Sequence, residues 1–291
     1  MRPATRDGSR SYTGDRLITA ATLSELLNLA AVQRSFIALA LASVGLPIAG
    51  VLIVGLDIIT ARFAVMHLAL LGIALGLFMG IDPVLAAIAV ATLCTGALAP
   101  LAARPGGLSG PMGFLMTVAI AGALLVLSIT GVNATGAFEL LWGSVLATRW
   151  RDLIVIGVIS TLVAGFVLRF RQQLALTLHD RELALMSGVR VDALLVATLM
   201  LVAAAISSSI RLTGALLVDS LTLLPALAAR NVAKSFTSML WWAMGIGLIA
   251  NVVGLFVSLA TDQPPGPILV LTVGTVTLAT FVRRSQNQGE I

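Results

Sequence analysis

The sequence predicts an all-α fold, a polytopic bundle of transmembrane helices, and three observations support this. Hydrophobic residues make up 58% of the 291 residues. Charged residues make up only 11%, whereas soluble domains have about 25%. The mean hydropathy is +1.04, and the apolar residues are grouped in long runs. A soluble fold of this size could not bury so much apolar surface, and disordered chains have the opposite composition.

The length of the apolar runs predicts the number of membrane crossings. A bilayer core of about 30 Å requires roughly 20 apolar residues in a helix. Asp219 and Pro225 lie in a short segment, 213–230, so eight crossings with one re-entrant segment is an alternative to nine. We expect one transmembrane domain over 34–284, between a polar and amphipathic N-terminal tail, 1–33, and a C-terminal tail, 285–291. The predicted spans are 35–56, 62–81, 84–103, 112–131, 153–170, 193–211, 213–230, 236–260 and 267–282.

The distribution of basic residues predicts the orientation of the bundle. Loops rich in Arg and Lys remain in the cytoplasm. If loop 171–192 is cytoplasmic, ten of the 18 basic residues lie on its side of the membrane and three on the other. The remaining five lie in the N-terminal region and fall on the outer side if there are nine crossings. The orientation of the helical core is therefore predicted, and the side of the N-terminal tail is left open.

The sequence lacks the motifs of common catalytic classes. The only lysine, Lys234, follows Ala233, so no G-x-x-x-x-G-K phosphate-binding loop exists. Neither G-x-S-x-G nor H-E-x-x-H occurs, and the chain has two histidines and one cysteine. These absences argue against a hydrolytic enzyme, and we expect no permanently bound cofactor. The net charge of +5 lies in loops, where it reports topology and does not indicate a nucleic-acid partner.

Polar side chains inside the predicted spans are the candidate functional residues, because they are costly in a bilayer and often line a pathway. His67 lies in the second span and Asp219 in the seventh. For each, the sequence leaves two interpretations open: a metal or proton site on a pathway, or a structural contact with another helix. Asn251 is expected to make a helix–helix hydrogen bond. Asp57 and Arg62 are expected to be solvated charges at the turn between the first two spans.

Four stretches carry a resemblance to a known family of membrane proteins. In this order and on these loops, they resemble the integral membrane permeases of zinc-, manganese- and iron-type ABC importers. The resemblance covers about residues 35–282 and is strongest from 138 onward. The stretches are 141–146 (LWGSVL) with Asp152, 179–184 (HDRELA) through 188–191 (GVRV), 214–218 (GALLV) with 224–226 (LPA), and 264–266 (PPG) with Asp262.

The resemblance implies partners that supply what this chain lacks. In this family two permease chains pair around a central pathway, and we expect a homodimer in the cytoplasmic membrane of a bacterium, surrounded by lipid. Two cytoplasmic ABC ATPases hydrolyse ATP, and an extracytoplasmic metal-binding protein delivers the ion. The expected substrate is a divalent metal ion, zinc or manganese in the first place, with iron as a third candidate.

The resemblance also assigns roles to loop residues. It implies a coupling helix within 171–192 that sits in a cleft of the ATPase, with Asp180, Glu182, Ala184 and Gly188 at the key positions. Small side chains let another surface approach closely, and Glu182 can pair with a basic residue there. The structural motif positions that the resemblance implies are Gly214, Pro225, Pro264, Pro265 and Gly266.

One stretch departs from the family pattern where a metal contact would lie. The family's second span reads GDALSHAVLPG, with Asp and His one helical turn apart, whereas 62–72 reads RFAVMHLALLG. His67 is retained and Phe63 replaces the Asp. Because a lone His holds a divalent cation poorly, the contact is transient, or Asp219 substitutes from another helix, or the substrate is a chelated metal such as a siderophore or haem. The alternative from a different class is a proton-coupled secondary transporter without an ATPase.

Overall fold

The computed structural model describes residues 25, 27–100, 109–131 and 145–288. The predicted tail up to residue 24 and the first four residues of the LWGSVL motif lie outside these ranges. Within them the regular structure is helical throughout, which confirms the predicted fold class, and Val145–Ala147 forms a 3-10 turn. The helices are α1 (Ala30–Gly55), α2 (Ile59–Met79), α3 (Pro83–Leu98), α4 (Ser109–Thr130), α5 (Trp150–His179), α6 (Arg181–Met186), α7 (Val191–Thr213), α8 (Ala215–Val232), α9 (Phe236–Thr261) and α10 (Pro265–Gln288).

Each of the nine predicted spans overlaps a helix in the described ranges, and residues 101–103 of the third span lie outside these ranges. Seven of these helices are long and apolar enough to cross a membrane: α1, α2, α4, α5, α7, α9 and α10. Helix α3 is apolar but has 16 residues, and α8 has 18 residues that include Asp219. Helix α8 nevertheless runs alongside α10, because Leu217 packs on Gly266 and Asn231 Nδ2 donates to Thr280 Oγ1. It therefore covers most of the depth that α10 covers.

Contacts at the helix ends define two ends of the bundle. Gly55, the last residue of α1, faces Leu178 near the end of α5, and α6 follows directly. We call this the α6 end, and it is the end that the basic residues predict to be cytoplasmic. At the opposite end, Ser35 Oγ donates a hydrogen bond of 2.9 Å to the carbonyl oxygen of Val145.

Helix α1 is the central element and positions α8. It is buried over most of its length and packs against α5, α7, α8 and α9. A Cβ at Gly50 would overlap the carbonyl oxygen of Thr222, so α1 and α8 approach each other closely at this point. The predicted hydrogen bond of Asn251 is confirmed, since its Nδ2 donates to Ser43 Oγ over 2.8 Å and both side chains are buried. This bond joins α9 to α1.

Helix bounds differ from the predicted segments at three places. Helix α1 begins at Ala30, inside the predicted tail, and α10 continues to Gln288, beyond the predicted domain end. Helix α5 continues into the predicted loop as far as His179, and it bends at Phe170 (φ −108°, ψ 17°) where the span was expected to end. The helix expected within 171–192 is α6, which begins at Arg181 and has six residues.

Candidate transport site

Arg62 and Asp219 form an ion pair inside the helix bundle. Arg62 lies one turn into α2 and Asp219 one turn into α8, and Arg62 Nε is 3.1 Å from Asp219 Oδ1. Only 7% of the Arg62 side chain and 19% of the Asp219 side chain are exposed. The two facing atoms are buried and make no hydrogen bond to any other group that the structure describes. Each charge is therefore compensated by the other.

The expectation that Arg62 is a solvated loop charge is wrong. Its guanidinium turns inward and lies over the ring of Phe63, with the guanidinium carbon 4.5 Å from the ring centre. Helices α2 and α8 make little backbone contact, so the long Arg62 side chain bridges the space to Asp219. Asp57 does lie exposed in the turn, as expected, with a φ of 52°. Asp57 and Arg62 lie beside the same turn in the sequence. Only the helix packing leaves Asp57 exposed and buries Arg62.

His67 lies one turn beyond Phe63 on α2 and faces the same carboxylate region. Its Nδ1 is 2.7 Å from the carbonyl oxygen of Phe63, and because a carbonyl can only accept, Nδ1 is the protonated nitrogen. A neutral ring then carries its lone pair on Nε2, the arrangement in which histidine binds metals. His67 also interacts electrostatically with Asp219. The structure thus places His67 within range of an electrostatic interaction with Asp219, whose direct partner is Arg62.

The donors at this site suit a divalent metal but do not enclose one. Imidazole nitrogen and carboxylate oxygen are ligands that zinc and manganese accept. In the described part of the chain, no three His, Cys, Asp or Glu side chains lie close enough to hold a metal ion. His67 and Asp219 are therefore an incomplete donor set, and Arg62 already pairs with the carboxylate. Such a set can contact a cation in passage, and conduction requires that the cation can leave.

At the α6 end, three of the four residues that the resemblance assigns to coupling are accessible. Asp180 is the N-cap of α6, and its Oδ1 accepts a hydrogen bond of 3.0 Å from the N–H of Leu183. Glu182 is exposed in the first turn of α6. Gly188 has a φ of 77°, a conformation that favours glycine, and it turns the chain from α6 towards α7.

Ala184 does not lie where the expected contact with another protein requires it. It is fully buried within this chain, and its carbonyl oxygen accepts a hydrogen bond of 3.1 Å from the N–H of Val189. The outward surface of α6 instead presents Leu183, Leu185 and Met186, all of which are exposed. The sequence shows Leu183 and Met186 three residues apart, but a six-residue helix gives too little periodicity to predict which of its faces packs inward.

The structural motif residues lie at helix junctions around α8. Gly214 joins α7 to α8 with φ 79° and ψ 156°, a region that is open mainly to glycine. Pro225 lies inside α8. Pro264 precedes α10 and Pro265 is its first residue, a position where the missing N–H of proline costs no hydrogen bond. Gly266 contacts α8 directly. These residues act on the packing of the helix that carries Asp219.

A bundle of apolar helices with an ion pair and a histidine in its interior is the architecture expected of a membrane permease. The chain matches the ABC 3 transport family over residues 28–284 and belongs to this family. It is therefore a transmembrane permease subunit of the ABC transporter type in a bacterial plasma membrane, and the resemblance inferred from the sequence is confirmed.

Individual relatives agree with this assignment. The chain is 26% identical over 221 residues to the high-affinity zinc uptake system membrane protein ZnuB of Haemophilus influenzae, which covers 76% of this chain and 85% of that one. It is 33% identical over 153 residues to the manganese import system permease protein ScaB of Streptococcus pneumoniae, 51% of this chain and 54% of that one. The solved structure of PsaBC from Streptococcus pneumoniae in complex with Fab has the same fold, with a TM-score of 0.78, 22% identity and coverage of 90% and 95%.

Proposed function

We propose that this chain is the permease subunit of an importer that moves a divalent metal ion, zinc or manganese, into a bacterial cell. Zinc uptake and manganese import are the activities in the names of ZnuB and ScaB. The observation that carries the proposal is that His67 on α2 lies within electrostatic range of Asp219 on α8. Both are metal-binding residue types, and both lie at a depth where polar groups are costly without a function or a partner.

In this proposal the ion passes between two copies of the chain. An external metal-binding protein releases it at the end of the bundle opposite α6, and Asp219 and His67 of each copy contact it in turn. The free Nε2 of His67 supplies a nitrogen ligand, and the carboxylate of Asp219 supplies charge. Because α2 and α8 have little backbone contact, they can separate without breaking an extensive interface.

The ATPase partner in this proposal docks on α6. Glu182 offers a charge, and the exposed apolar residues around it offer a surface. Arg181 Nη2 pairs with Asp192 Oδ1 over 3.0 Å, which ties α6 to the first turn of α7. Helix α7 leads through Gly214 into α8 and Asp219. A displacement of α6 by the ATPase is thereby transmitted along one continuous stretch of chain to the site.

The test is uptake into vesicles that contain this chain with its ATPase, loaded from outside with the binding protein and radioactive zinc or manganese. We expect ATP-dependent uptake of one free ion, and a loss of at least about tenfold in Asp219→Asn and His67→Ala if they remove a site needed in the pathway. Asp57→Asn is the matched control, because Asp57 is exposed in a turn and Asn tolerates its positive φ. Uptake driven by a proton gradient without any ATPase would refute the proposal.

Arg62 is the observation that favours a second candidate, an importer for a negatively charged metal chelate. A guanidinium at membrane depth can bind carboxylate groups of such a chelate through charge-assisted hydrogen bonds. The same vesicles supplied with a ferric siderophore or with haem separate the two candidates. Uptake of the intact complex, with no uptake of free zinc or manganese, would replace the first candidate by the second.

A further inference from the structure

We propose that Arg62 is a tethered cation that competes with the transported ion for Asp219, so that the protein's own charge fills the site whenever no ion is present. This inference rests on the proposed function and concerns the regulation of the same site. Its basis is the ion pair of 3.1 Å between α2 and α8, the stacking of Arg62 on Phe63 and the proximity of His67 to the same carboxylate.

Arg62 and an incoming ion approach Asp219 from different ends of the bundle. Helix α2 begins at Ile59, so Arg62 lies only about 4.5 Å along the axis from the α6 end, at a rise of 1.5 Å per residue. Asp219 lies deeper. Thr222, one turn after it, packs on Gly50 of α1, which is itself about 7.5 Å from the α6 end of that helix by the same rise. An ion entering from the opposite end therefore meets Asp219 before it meets Arg62.

The position of Arg62 allows it to leave and return. It lies one turn from the exposed turn around Asp57, and a long arginine side chain can extend to water while its stem stays in an apolar region. Stacking on Phe63 holds the guanidinium close to α2. When an ion binds, Arg62 withdraws towards the α6 end, and when the ion leaves, Arg62 pairs with Asp219 again. The buried carboxylate thus always has a positive partner, as the low dielectric of its surroundings requires.

This exchange gives the site a low apparent affinity for its ion. A divalent cation can occupy the carboxylate only by displacing a charge that is covalently attached to the protein and therefore always present at high local concentration. The returning guanidinium also repels the ion from the carboxylate, so an ion that has left Asp219 does not bind it again. If the ion pair were purely structural, removal of Arg62 would damage the site and lower its affinity for metal.

The experiment measures binding of zinc chloride and manganese chloride to the full chain in lipid nanodiscs by equilibrium dialysis. A neighbouring unit charge changes the affinity of a carboxylate for a cation such as the proton by roughly ten- to a thousandfold, so we expect Arg62→Gln to bind metal at least about tenfold tighter than the natural chain. Arg169→Gln is the matched control, because Arg169 also stacks on the phenylalanine that follows it but does not act on Asp219. It should leave the affinity unchanged.

Two further variants keep the proposal falsifiable. In an Asp219→Asn background, Arg62→Gln should give no gain in affinity, because the carboxylate for which the charges compete is absent. Arg62→Lys retains the charge without the planar fork of the guanidinium, and we expect an affinity between those of the natural chain and Arg62→Gln. If Arg62→Gln fails to insert, the metal affinity of Arg62→Lys is compared with that of the natural chain instead.

The outcomes separate this inference from the proposed function. Unchanged or weaker metal binding by folded Arg62→Gln, or an equal gain in the absence of Asp219, would overturn the role of Arg62. If the natural chain still shows ATP-dependent uptake in the vesicle assay, the proposed function stands. A natural chain that takes up no free metal ion overturns the proposed function itself, whatever the binding data show.

Discussion

Replacing the Arg62–Asp219 pair should separate stability from transport. Removing one partner of a buried ion pair costs about 3–5 kcal/mol, because the other charge is left uncompensated. Since 19% of the Asp219 side chain is exposed, water lowers this cost, and we expect Arg62→Met to lose about 2–3 kcal/mol of unfolding free energy. Asp219→Leu should lose less, about 1–2 kcal/mol, because Arg62 can extend to the α6 end.

The double variant should recover most of this stability. Apolar residues of similar volume often replace a buried pair with little net change, so Arg62→Met with Asp219→Leu should lie within about 1 kcal/mol of the natural chain. The coupling energy between the two sites is then about 2 kcal/mol or more. Unfolding in mixed micelles, followed by circular dichroism, measures each value, and the vesicle assay should show no metal uptake by the double variant.

A control pair tests whether burial is the cause. Arg181 and Asp192 are also 3.0 Å apart, but their side chains are 37% and 70% exposed. Exposed pairs contribute about 0–1 kcal/mol, so alanine at both positions should change stability little and show little coupling. Single variants at Arg62 and Asp219 that are as stable as the natural chain, or a double variant that loses the sum of the single losses, would refute this reasoning.

Three further predictions concern helix packing and coupling. The single and double alanine variants of Asn251 and Ser43 should show a coupling energy of about 0.6–1.7 kcal/mol in the same unfolding assay, the range found for hydrogen bonds between membrane helices. Additive losses of stability would contradict the hydrogen bond. Gly188→Ala places an alanine at a positive φ, which costs roughly 1 kcal/mol. The variant should insert normally but take up less metal per ATP hydrolysed in the vesicles. An unchanged ratio of uptake to hydrolysis would contradict a role for this turn. Gly50→Ala should destabilise the chain, because its Cβ overlaps a backbone carbonyl on α8. Gly165→Ala in α5 should not, because Gly165 faces open space. Equal melting temperatures of the two variants would contradict the close approach of α1 and α8.

Several elements of the fold could be predicted because membrane helices satisfy their own backbone hydrogen bonds and need only a long apolar segment. Each of the nine predicted spans overlaps a helix of the structure. The extension of α5 to His179 was not predicted, since its last turns are polar enough to resemble a loop. Ala184 was assigned to an outward contact, but it is buried, because the orientation of so short a helix depends on the helices beneath it.

The sequence by itself determined that this protein is a membrane permease, since apolar segments and loop motifs are local properties of the chain. It also identified His67 and Asp219 as candidates, because polar residues at membrane depth are conspicuous in any sequence. Only the tertiary structure decided that His67 lies within electrostatic range of Asp219, and that Arg62 turns away from the adjacent surface to pair with Asp219. The physical reason is that these contacts join α2 to α8, more than 150 residues apart in sequence, through packing on α1 that no local pattern records.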